Sequence, residues 1–463
     1  MKTTLCLALL LAGTAAHALS DSEKETLMTA AQQAYEQQDY ATALEKWQPL
    51  ATAGDAEAQN NLGILYYQGQ GVAQNYAQAH AWCEKAAAQD YADAQYNLGI
   101  LYDAGQGVAQ DYTQARAWYE KAAAQGHAKA QYNLGILYAN GQGVAQDYSK
   151  AREWWEKAAA QYDANAQYNL GILYAKGQGV AQDYGKAREW YEKAAAQDYA
   201  DAQFNLGVLY AKGRGVAQDY SKARTWFEKA AAQDDALAQF NLGVLYAEGR
   251  GVAQDYGQAR AWFEKAAAQD DAQAQYNLGV LYYKGKGVTQ DYEQARAWYE
   301  KAAVQDLAPA QCDLGVLYNK GQGVAQDYGQ ARTWYEKAAT QGHAPAQNNL
   351  GALYAEGKGV TQDYGQARSW YEKAAAQDFA PAQNNLGALY AEGRGVVQDY
   401  DQARAWYEKA AAQGHADAQY NLGLLYAEGQ GVPHDISKAR EWLEKAAAQG
   451  YERAKAALQK LGK

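Results

Sequence analysis

The sequence predicts an all-α fold, an α-solenoid superhelix of stacked helical hairpins that are each 36 residues long. The dipeptide Leu-Gly recurs eleven times at a constant spacing of 36 residues, first at Leu62 and last at Leu422. Within each spacing, two segments with helical hydrophobic periodicity flank a loop that contains glycines. A single hairpin of this size cannot bury its apolar face, so neighbouring units must stack to form a continuous core.

The first helix of the unit is predicted from segments such as AQYNLGILYAN, which starts at Ala130. Leu134 and Leu137 follow Ala130 at i+4 and i+7, a spacing that places the three side chains on one helix face. Gly141 comes directly after this pattern, and a glycine there is typical of the left-handed position that ends a helix. Val144 is the large apolar residue of the following loop, and we expect it to anchor the loop on the core.

The second helix is expected to begin after Asp147. Its carboxylate can accept hydrogen bonds from the free amides of the first turn, and it suits the positive end of the helix dipole. Arg152 and Glu156 lie one turn apart and are expected to form a solvated pair that contributes about 0.3–0.5 kcal/mol. The apolar face that the spacing predicts for this helix consists of Tyr148, Ala151, Trp154 and Ala158.

A glycine inside the first helix requires a compensating contact. Gly135 costs about 1 kcal/mol relative to alanine at such a position, and the same glycine recurs in all eleven units. We therefore predict that the two helices of a unit approach closely there and that the Trp154 side chain packs beside the glycine. Gly207→Leu is expected to lower the melting temperature for the same reason.

Residues 1–18 predict a secretory signal peptide that is cleaved after Ala18. Lys2 supplies the positively charged start, an apolar stretch follows, and Ala16 and Ala18 form a small-residue cleavage site. The apolar stretch is well short of the ~20 residues that a membrane-spanning helix needs, which argues against the alternative of an N-terminal anchor. We therefore expect an exported protein, periplasmic or secreted, with no stable membrane insertion after cleavage.

The rest of the chain is expected to form three parts. Residues 19–55 predict an N-terminal capping helical hairpin without the glycine loop, residues 56–450 predict the eleven repeats, and residues 451–463 predict a C-terminal capping helix. Arg453 and Lys455 are expected to solvate the C-terminal end of the array, which no further repeat covers.

The repeated pattern resembles the Sel1-like repeat, a relative of the tetratricopeptide repeat with a longer loop, over residues 56–450. The resemblance implies a right-handed superhelix whose concave side is lined by the first helices, and a role as an adaptor in protein complexes. Exported bacterial members are associated with envelope assembly, signalling or host contact, and some cysteine-rich relatives are described as β-lactamase-like. One unit carries the pattern through Ala130, Leu134, Gly135, Tyr138, Gly141, Gly143, Val144, Asp147, Ala151, Trp154, Ala158 and Ala159.

Charge and motif content argue against several functional classes. The formal charge of −11 becomes −12 when Lys2 is removed with the signal peptide, so a nucleic acid gains no long-range attraction. The histidines form no pair or cluster with metal-ligand spacing. The glycine loop follows a helix and lacks the third glycine of a nucleotide fingerprint, and the Ser-x-x-Lys arrangement of serine β-lactamases is absent. We predict no catalytic residue, no metal site and no cofactor.

Two cysteines remain after signal cleavage. Cys83 and Cys312 lie more than six repeats apart, too far to pair with each other in an elongated array. They are expected to be free, buried thiols, and the alternative is a disulfide with another molecule. Neither has the regular cysteine partners of the β-lactamase-like relatives.

Two columns of residues are candidates for a binding groove. We call them the aromatic column, two residues before the recurring leucine, and the asparagine column, one residue before it. The rings of the aromatic column either pack between neighbouring first helices or line a groove. The amides of the asparagine column either form hydrogen bonds between units or bind the backbone of a ligand. The candidate residues are Tyr96, Tyr132, Tyr168, Phe204, Phe240 and Tyr276 in the aromatic column and Asn97, Asn133, Asn169, Asn205, Asn241 and Asn277 in the asparagine column.

A third column, here the charge column, lies at the end of the first helix and changes from neutral to mainly basic to acidic along the chain. It reflects either tolerance at a solvated position or a polarised surface that orients an elongated partner. A glutamate there opposes the helix dipole, although Lys358 and Arg394 can offset this. The column consists of Gln68, Ala104, Asn140, Lys176, Lys212, Glu248, Lys284, Lys320, Glu356, Glu392 and Glu428.

These features together predict a non-catalytic scaffold that binds a protein or an extended peptide. A carbohydrate or peptidoglycan-binding protein is the alternative, because equivalent sites at a fixed interval suit a repetitive glycan. A β-lactam-hydrolysing enzyme is the third hypothesis.

Overall fold

A computed structural model of the protein describes residues 19–461, and all 25 regular elements in this range are α-helices. The predicted signal peptide lies outside the described residues. The chain divides into two compact units, an N-terminal unit up to Trp226 and a C-terminal unit from Phe227, and each is described by itself. Each unit is a solenoid of paired helices, which confirms the predicted fold class.

The helices of the N-terminal unit alternate along the chain with short loops. Helix α12 contains the unit boundary. The bounds are α1 Asp21–Glu36, α2 Tyr40–Thr52, α3 Ala56–Gln68, α4 Tyr76–Ala87, α5 Ala92–Ala104, α6 Tyr112–Ala124, α7 Ala128–Asn140, α8 Tyr148–Ala160, α9 Ala164–Lys176, α10 Tyr184–Ala195, α11 Ala200–Lys212 and α12 Tyr220–Ala231.

The C-terminal unit continues the same alternation. Its helices are α13 Ala236–Glu248, α14 Tyr256–Ala268, α15 Ala272–Lys284, α16 Tyr292–Val304, α17 Ala308–Lys320, α18 Tyr328–Thr340, α19 Ala344–Glu356, α20 Tyr364–Ala375, α21 Ala380–Glu392, α22 Tyr400–Ala412, α23 Ala416–Glu428, α24 Ile436–Ala448 and α25 Glu452–Leu461.

We number the repeats 1–11 from Ala56, and call the two helices of each repeat helix A and helix B. Repeat 1 is therefore α3 and α4, and repeat 11 is α23 and α24. Within each unit, a helix A packs most extensively on helix B of its own repeat, and that helix B also packs on helix A of the next repeat. This alternation builds the continuous core that a single hairpin cannot form.

Helix A ends where the sequence predicts. In repeat 3, α7 buries Leu134 and Leu137, and Gly141 follows it with a left-handed φ of +71°. The Gly141 amide donates to the Leu137 carbonyl oxygen, which satisfies one of the free carbonyls of the last turn. Val144 packs partly buried against the neighbouring core cluster, so the loop is anchored as expected.

Helix B confirms the predicted cap and corrects the predicted face. The Asp147 carboxylate accepts hydrogen bonds from the amides of Ser149 and Lys150, both at 3.0 Å. The aromatic residue that this helix buries is Trp155, whereas Trp154 is only partly buried. Trp155 follows Ala151 by four residues, which brings it back to the same face, and Trp154 falls outside that face.

The partly buried tryptophan of helix B has a different role. Trp154 packs against the core cluster formed by helix B of repeat 2 and helix A of repeat 3. The Lys157 ammonium lies 3.9 Å from the Trp154 ring centroid, and the same Trp and Lys contact recurs in most described repeats. The tryptophan thus connects two repeats, and the lysine covers its outer face.

The close approach at the helix A glycine is confirmed, with a different partner. A methyl group added at Gly135 would overlap the Trp155 side chain, not that of Trp154. Trp155 Nε1 also donates to the Tyr132 carbonyl oxygen at 3.0 Å, so the indole is held on helix A. The residues at the Trp155 position, which we call the core-ring column, are Cys83, Tyr119, Trp155, Tyr191, Phe227, Phe263, Tyr299, Tyr335, Tyr371, Tyr407 and Leu443.

Buried glutamines join successive repeats. Gln131 of helix A is buried, and its Nε2 donates to the Ala123 carbonyl oxygen of the preceding helix B at 3.2 Å. Gln161, after helix B of the same repeat, donates through Nε2 to Gln131 Oε1 and to the Gly126 carbonyl oxygen, both at 2.9 Å. Two side chains therefore link three helices and pair polar groups that would otherwise be buried without partners.

Both ends of the described chain carry helices outside the eleven repeats. Helices α1 and α2 form a hairpin around the buried Trp47, and α1 begins with a capping box between Ser20 and Glu23. Helix α25 packs on helix B of repeat 11 and buries Ala454. None of the helices in residues 19–461 combines the length and apolar content that spanning a bilayer requires.

Candidate functional site

The aromatic column lies on helix A in each repeat, and its candidate rings are partly buried. Tyr96 illustrates the environment: its ring centroid lies 5.9 Å from that of Tyr119 and stacks at 4.5 Å on that of His127. Tyr168 has corresponding contacts with Tyr191 at 5.8 Å and with Tyr199 at 5.1 Å. These two rings pack against their own repeat and also against the core clusters that include helix A of the next repeat. One of the two predicted roles of this column, packing between neighbouring first helices, is therefore present.

The asparagine column forms hydrogen bonds across the junction between successive A helices. Asn97 Nδ2 donates to Asn60 Oδ1 at 2.9 Å, and Asn205 Nδ2 donates to the Tyr168 hydroxyl oxygen at 3.4 Å. The same link joins Asn385 to the preceding repeat at 3.0 Å. One of the two predicted uses of this column, bonding between units, is therefore present.

One groove brings members of the three columns together in repeats 4 and 5. It has a volume of about 560 Å³ and lies within the N-terminal unit, between α9, α10, α11 and the loops that follow α9 and α11. Hydrophobic side chains of both A helices provide its floor. The residues that give the groove its chemistry are Tyr168, Ile172, Lys176, Tyr184, Asn205 and Arg214.

The groove is positively charged. Lys176 and Arg214 are exposed at its rim, and every other lining residue is uncharged. Arg214 Nη1 donates to the Tyr184 hydroxyl oxygen at 3.4 Å, and the guanidinium lies 5.3 Å from the centre of that ring. Gln182 Nε2 donates to the same hydroxyl oxygen at 3.1 Å. The tyrosine therefore positions the guanidinium over the groove.

The groove offers neutral donors beside these cations. Burial raises the pKa of Tyr191, so its phenol stays protonated at neutral pH. Asn205 adds an amide that is partly buried. An acidic chain bound here would find two cations, neutral hydrogen-bonding groups and an apolar floor.

The charge column is exposed in every repeat, but its charge is compensated unevenly. Lys176 in repeat 4 is followed two residues later by the neutral Gln178. In three repeats of the C-terminal unit, by contrast, a glutamate pairs with the cation two residues later, as predicted for Lys358 and Arg394. These ion pairs are Glu248 with Arg250 at 2.9 Å, Glu356 with Lys358 at 2.6 Å, and Glu392 with Arg394 at 2.7 Å.

The structure thus assigns different surroundings to the predicted residues. Tyr168 and Asn205 line the groove, whereas Tyr184 and Arg214 belong to it without having been predicted. The only sequence signal for Arg214 is that its position varies among glutamine, lysine and arginine from repeat to repeat. The other predicted residues occupy equivalent positions on their own A helices: Tyr96, Tyr132, Phe204, Phe240, Tyr276, Asn97, Asn133, Asn169, Asn241 and Asn277.

Both described cysteines are buried, as predicted, and they are not bonded to each other. Removal from water raises the pKa of Cys83 to about 12 and that of Cys312 to about 12, so both stay protonated at neutral pH. Within residues 19–461, no group of three or more His, Cys, Asp or Glu side chains is placed to hold a metal ion.

A family model described as the Sel1 repeat matches the chain eleven times, over most of its length. No curated protein matches the chain by sequence. The matched segments are residues 56–91, 92–127, 128–163, 164–199, 200–235, 236–271, 272–306, 308–343, 344–379, 380–415 and 416–451.

Solved structures show the same architecture. A protective antigen present in uropathogenic Escherichia coli strains, which displays an SLR fold, is 39% identical, with 90% of each chain covered and a TM-score of 0.84. A Sel1 repeat protein from Oxalobacter formigenes is 36% identical over 67% of this chain and 90% of that chain, with a TM-score of 0.54.

Proposed function

The chain belongs to the Sel1 repeat family, whose solenoids typically mediate protein–protein interactions, and we propose that it binds an extended acidic segment of a partner protein in the groove of repeats 4 and 5. The family is generally one of non-enzymatic scaffolds, and we propose the same role here. The observation that carries the proposal is the pair Lys176 and Arg214 above an apolar floor whose lining contains no carboxylate.

The groove can recognise such a segment in two ways. Carboxylates of the partner would pair with Lys176 and with the planar guanidinium of Arg214, which can donate two parallel hydrogen bonds to one carboxylate. Apolar side chains of the segment would pack on Ile172 and Val208. Because the whole chain is acidic, this local positive charge selects where an acidic segment binds.

The proposal predicts that reversing the two rim charges abolishes partner capture. A photo-crosslinking amino acid at Ile172, inside the groove, is used in the native cells, and captured proteins are identified by mass spectrometry. Lys176→Glu with Arg214→Glu is expected to lower the crosslinked yield about tenfold or more, because both attractions become repulsions. The crosslinked segment is expected to be rich in aspartate and glutamate.

The chain contains a matched control for this experiment. Lys320 and Lys358 occupy the same two repeat positions as Lys176 and Arg214, four repeats later, and Lys358 is already paired with Glu356 at 2.6 Å. Lys320→Glu with Lys358→Glu changes the net charge equally and is expected to leave capture at Ile172 unchanged. Equal losses from both double variants would contradict the assignment to this groove.

The same experiment distinguishes protein from glycan. A crosslinker at Glu189, which is exposed on α10 and does not line the groove, reports background capture. A groove-specific product in which mass spectrometry finds a second protein's peptide joined at position 172 supports a protein partner. A product that a muramidase reduces to the mass of the uncrosslinked chain plus a glycan fragment would replace the proposal with peptidoglycan binding.

We also propose that the protein works in the cell envelope or outside the cell. The N-terminal sequence with Lys2 and the Ala16 and Ala18 cleavage pattern supports export. The protective-antigen description of a similar protein is consistent with exposure to the host. Mass spectrometry of the protein from fractionated cells is expected to find a mature N-terminus at Leu19 in the periplasm or medium, and an uncleaved cytoplasmic chain would contradict export.

A further inference from the structure

Repeat 1 contains a cavity that is separate from the groove of repeats 4 and 5. It measures about 190 Å³ and lies between α3, α4 and α5. Its walls are mainly apolar, and the exposed Gln68 at the end of α3 marks its mouth. Its lining includes Gly63, Ile64, Tyr67, Cys83, Asn97 and Ile100.

The cavity lies where other repeats place an aromatic ring. Nine of the eleven core-ring residues are aromatic, one is Leu443, and the residue in repeat 1 is Cys83. In repeat 2 the Tyr119 ring covers Gly99, which is equivalent to Gly63. Asn60 also replaces the ring of the aromatic column in repeat 1, so both rings that meet in repeat 2 are missing here.

The walls of the cavity are mainly apolar, as suits a site for an aromatic ring. Gly63, Ile64 and Ile100 surround the space with backbone and aliphatic groups, while the phenol of Tyr67 and the amide of Asn97 add polar groups. Asn97 Nδ2 donates to Asn60 Oδ1 at 2.9 Å, so its amide is held in one orientation. An engineered cavity of about 150 Å³ with apolar walls is enough to bind benzene.

We propose that this cavity binds a small aromatic molecule that carries one hydrogen-bonding group, of the size of phenol or indole. The ring takes the space that the core ring fills in other repeats, and its polar group faces Asn97 and Tyr67. This binding does not depend on the proposed protein-binding groove, which lies in other repeats of the N-terminal unit. It involves no covalent step, because burial raises the pKa of Cys83 to about 12 and keeps the thiol protonated.

The test fills the cavity with the side chains that the chain itself uses elsewhere. Phenol and indole are titrated against the full-length protein, and binding is followed by saturation-transfer NMR and by the rise in melting temperature that a native-state ligand produces. Wild type and Cys83→Ser, which keeps the cavity, are expected to bind both probes with affinities within about threefold of each other, since the cavity volume is preserved. Cys83→Phe is expected to weaken binding at least about tenfold because the ring occupies the site.

A second variant guards against misfolding. Phenylalanine fills this position in repeats 5 and 6, and leucine fills it in repeat 11, so Cys83→Leu is tested beside Cys83→Phe. Both are expected to keep wild-type helicity and to raise the melting temperature without probe, since they fill a void. The proposal is overturned if wild type binds neither probe, or if a helical Cys83→Phe or Cys83→Leu variant binds them as tightly as wild type does.

Discussion

Replacing Gly323 by aspartate is expected to destabilise the C-terminal unit by roughly 2–5 kcal/mol, because the change combines backbone strain with a steric clash. Gly323 lies in the loop of repeat 8 with a left-handed φ of +67°. A Cβ atom there would overlap the backbone carbonyl of Tyr292 and come within 2.7 Å of the Glu293 amide nitrogen. Both belong to helix B of the preceding repeat, so the clash falls on the junction between repeats.

Gly342 provides the matched control for that substitution. Its φ is +86°, also left-handed, but a Cβ atom there would have no heavy atom within 4 Å. Aspartate occupies the equivalent position in other repeats, with φ of 60° at Asp306 and 58° at Asp378. Gly342→Asp is therefore expected to cost at most about 1 kcal/mol, since aspartate tolerates the left-handed region better than most residues do.

Urea unfolding followed by circular dichroism measures both variants. In a repeat protein, a broken junction can also uncouple the repeats on either side, so a broadened or two-step transition for Gly323→Asp is part of the expected result. Similar midpoints for the two aspartate variants would show that the glycine loop does not hold the repeats together.

The sequence was sufficient to predict the elements of the repeat because each depends on local chemistry. The helix A stop at Gly141 and the helix B start at Asp147 follow from backbone conformation and capping, which single residues determine. The exact 36-residue repetition then implied stacking. These parts of the fold required no knowledge of long-range contacts.

The prediction for the buried face of helix B was wrong by one residue, because it placed Trp154 in the core and the structure buries Trp155. Trp154 and Trp155 are adjacent and both aromatic, so repeat 3 alone cannot show which one enters the core. Other repeats carry the missing signal: tryptophan recurs at the Trp154 position, while the Trp155 position varies among tyrosine, phenylalanine, leucine and cysteine. Variation among apolar residues of different size is compatible with a core position whose neighbours adjust.

The groove could be predicted only in part. The columns placed Tyr168 and Asn205 on the correct helix face. Lys176 ends α9 and Arg214 lies in the loop after α11, so only the stacking of successive repeats brings these two cations together. The buried Gln131 was missed for a related reason. Glutamine is normally exposed, and its partners are distant in sequence: Ala123 lies in the preceding helix B, and Gln161 follows the helix B of the same repeat.

Replacing Gly243 by alanine or leucine is the second change with a large expected effect. A Cβ atom at Gly243, in helix A of repeat 6, would lie 2.5 Å from two carbons of the Phe263 ring. Phe263 is itself buried, so neither side chain can move into solvent. Overpacking of this kind costs about 1–3 kcal/mol for alanine and more for leucine, which outweighs the gain of about 1 kcal/mol in helix propensity.

The same change to alanine at Gly257 is expected to have the opposite sign. Gly257 is exposed in the first turn of α14. An added Cβ would lie 3.2 Å from the carboxylate of the capping Asp255, with no other neighbour within 4 Å. Alanine already occupies the equivalent position in repeat 1, at Ala77. Gly257→Ala should stabilise the chain by about 0.5–1 kcal/mol, since it removes only the conformational freedom of glycine. Melting temperatures of Gly243→Ala and Gly257→Ala should therefore move in opposite directions from wild type. If both melting temperatures rise, helix propensity determines the effect at both sites. In that case the contact between Gly243 and the Phe263 ring does not exclude a side chain from helix A.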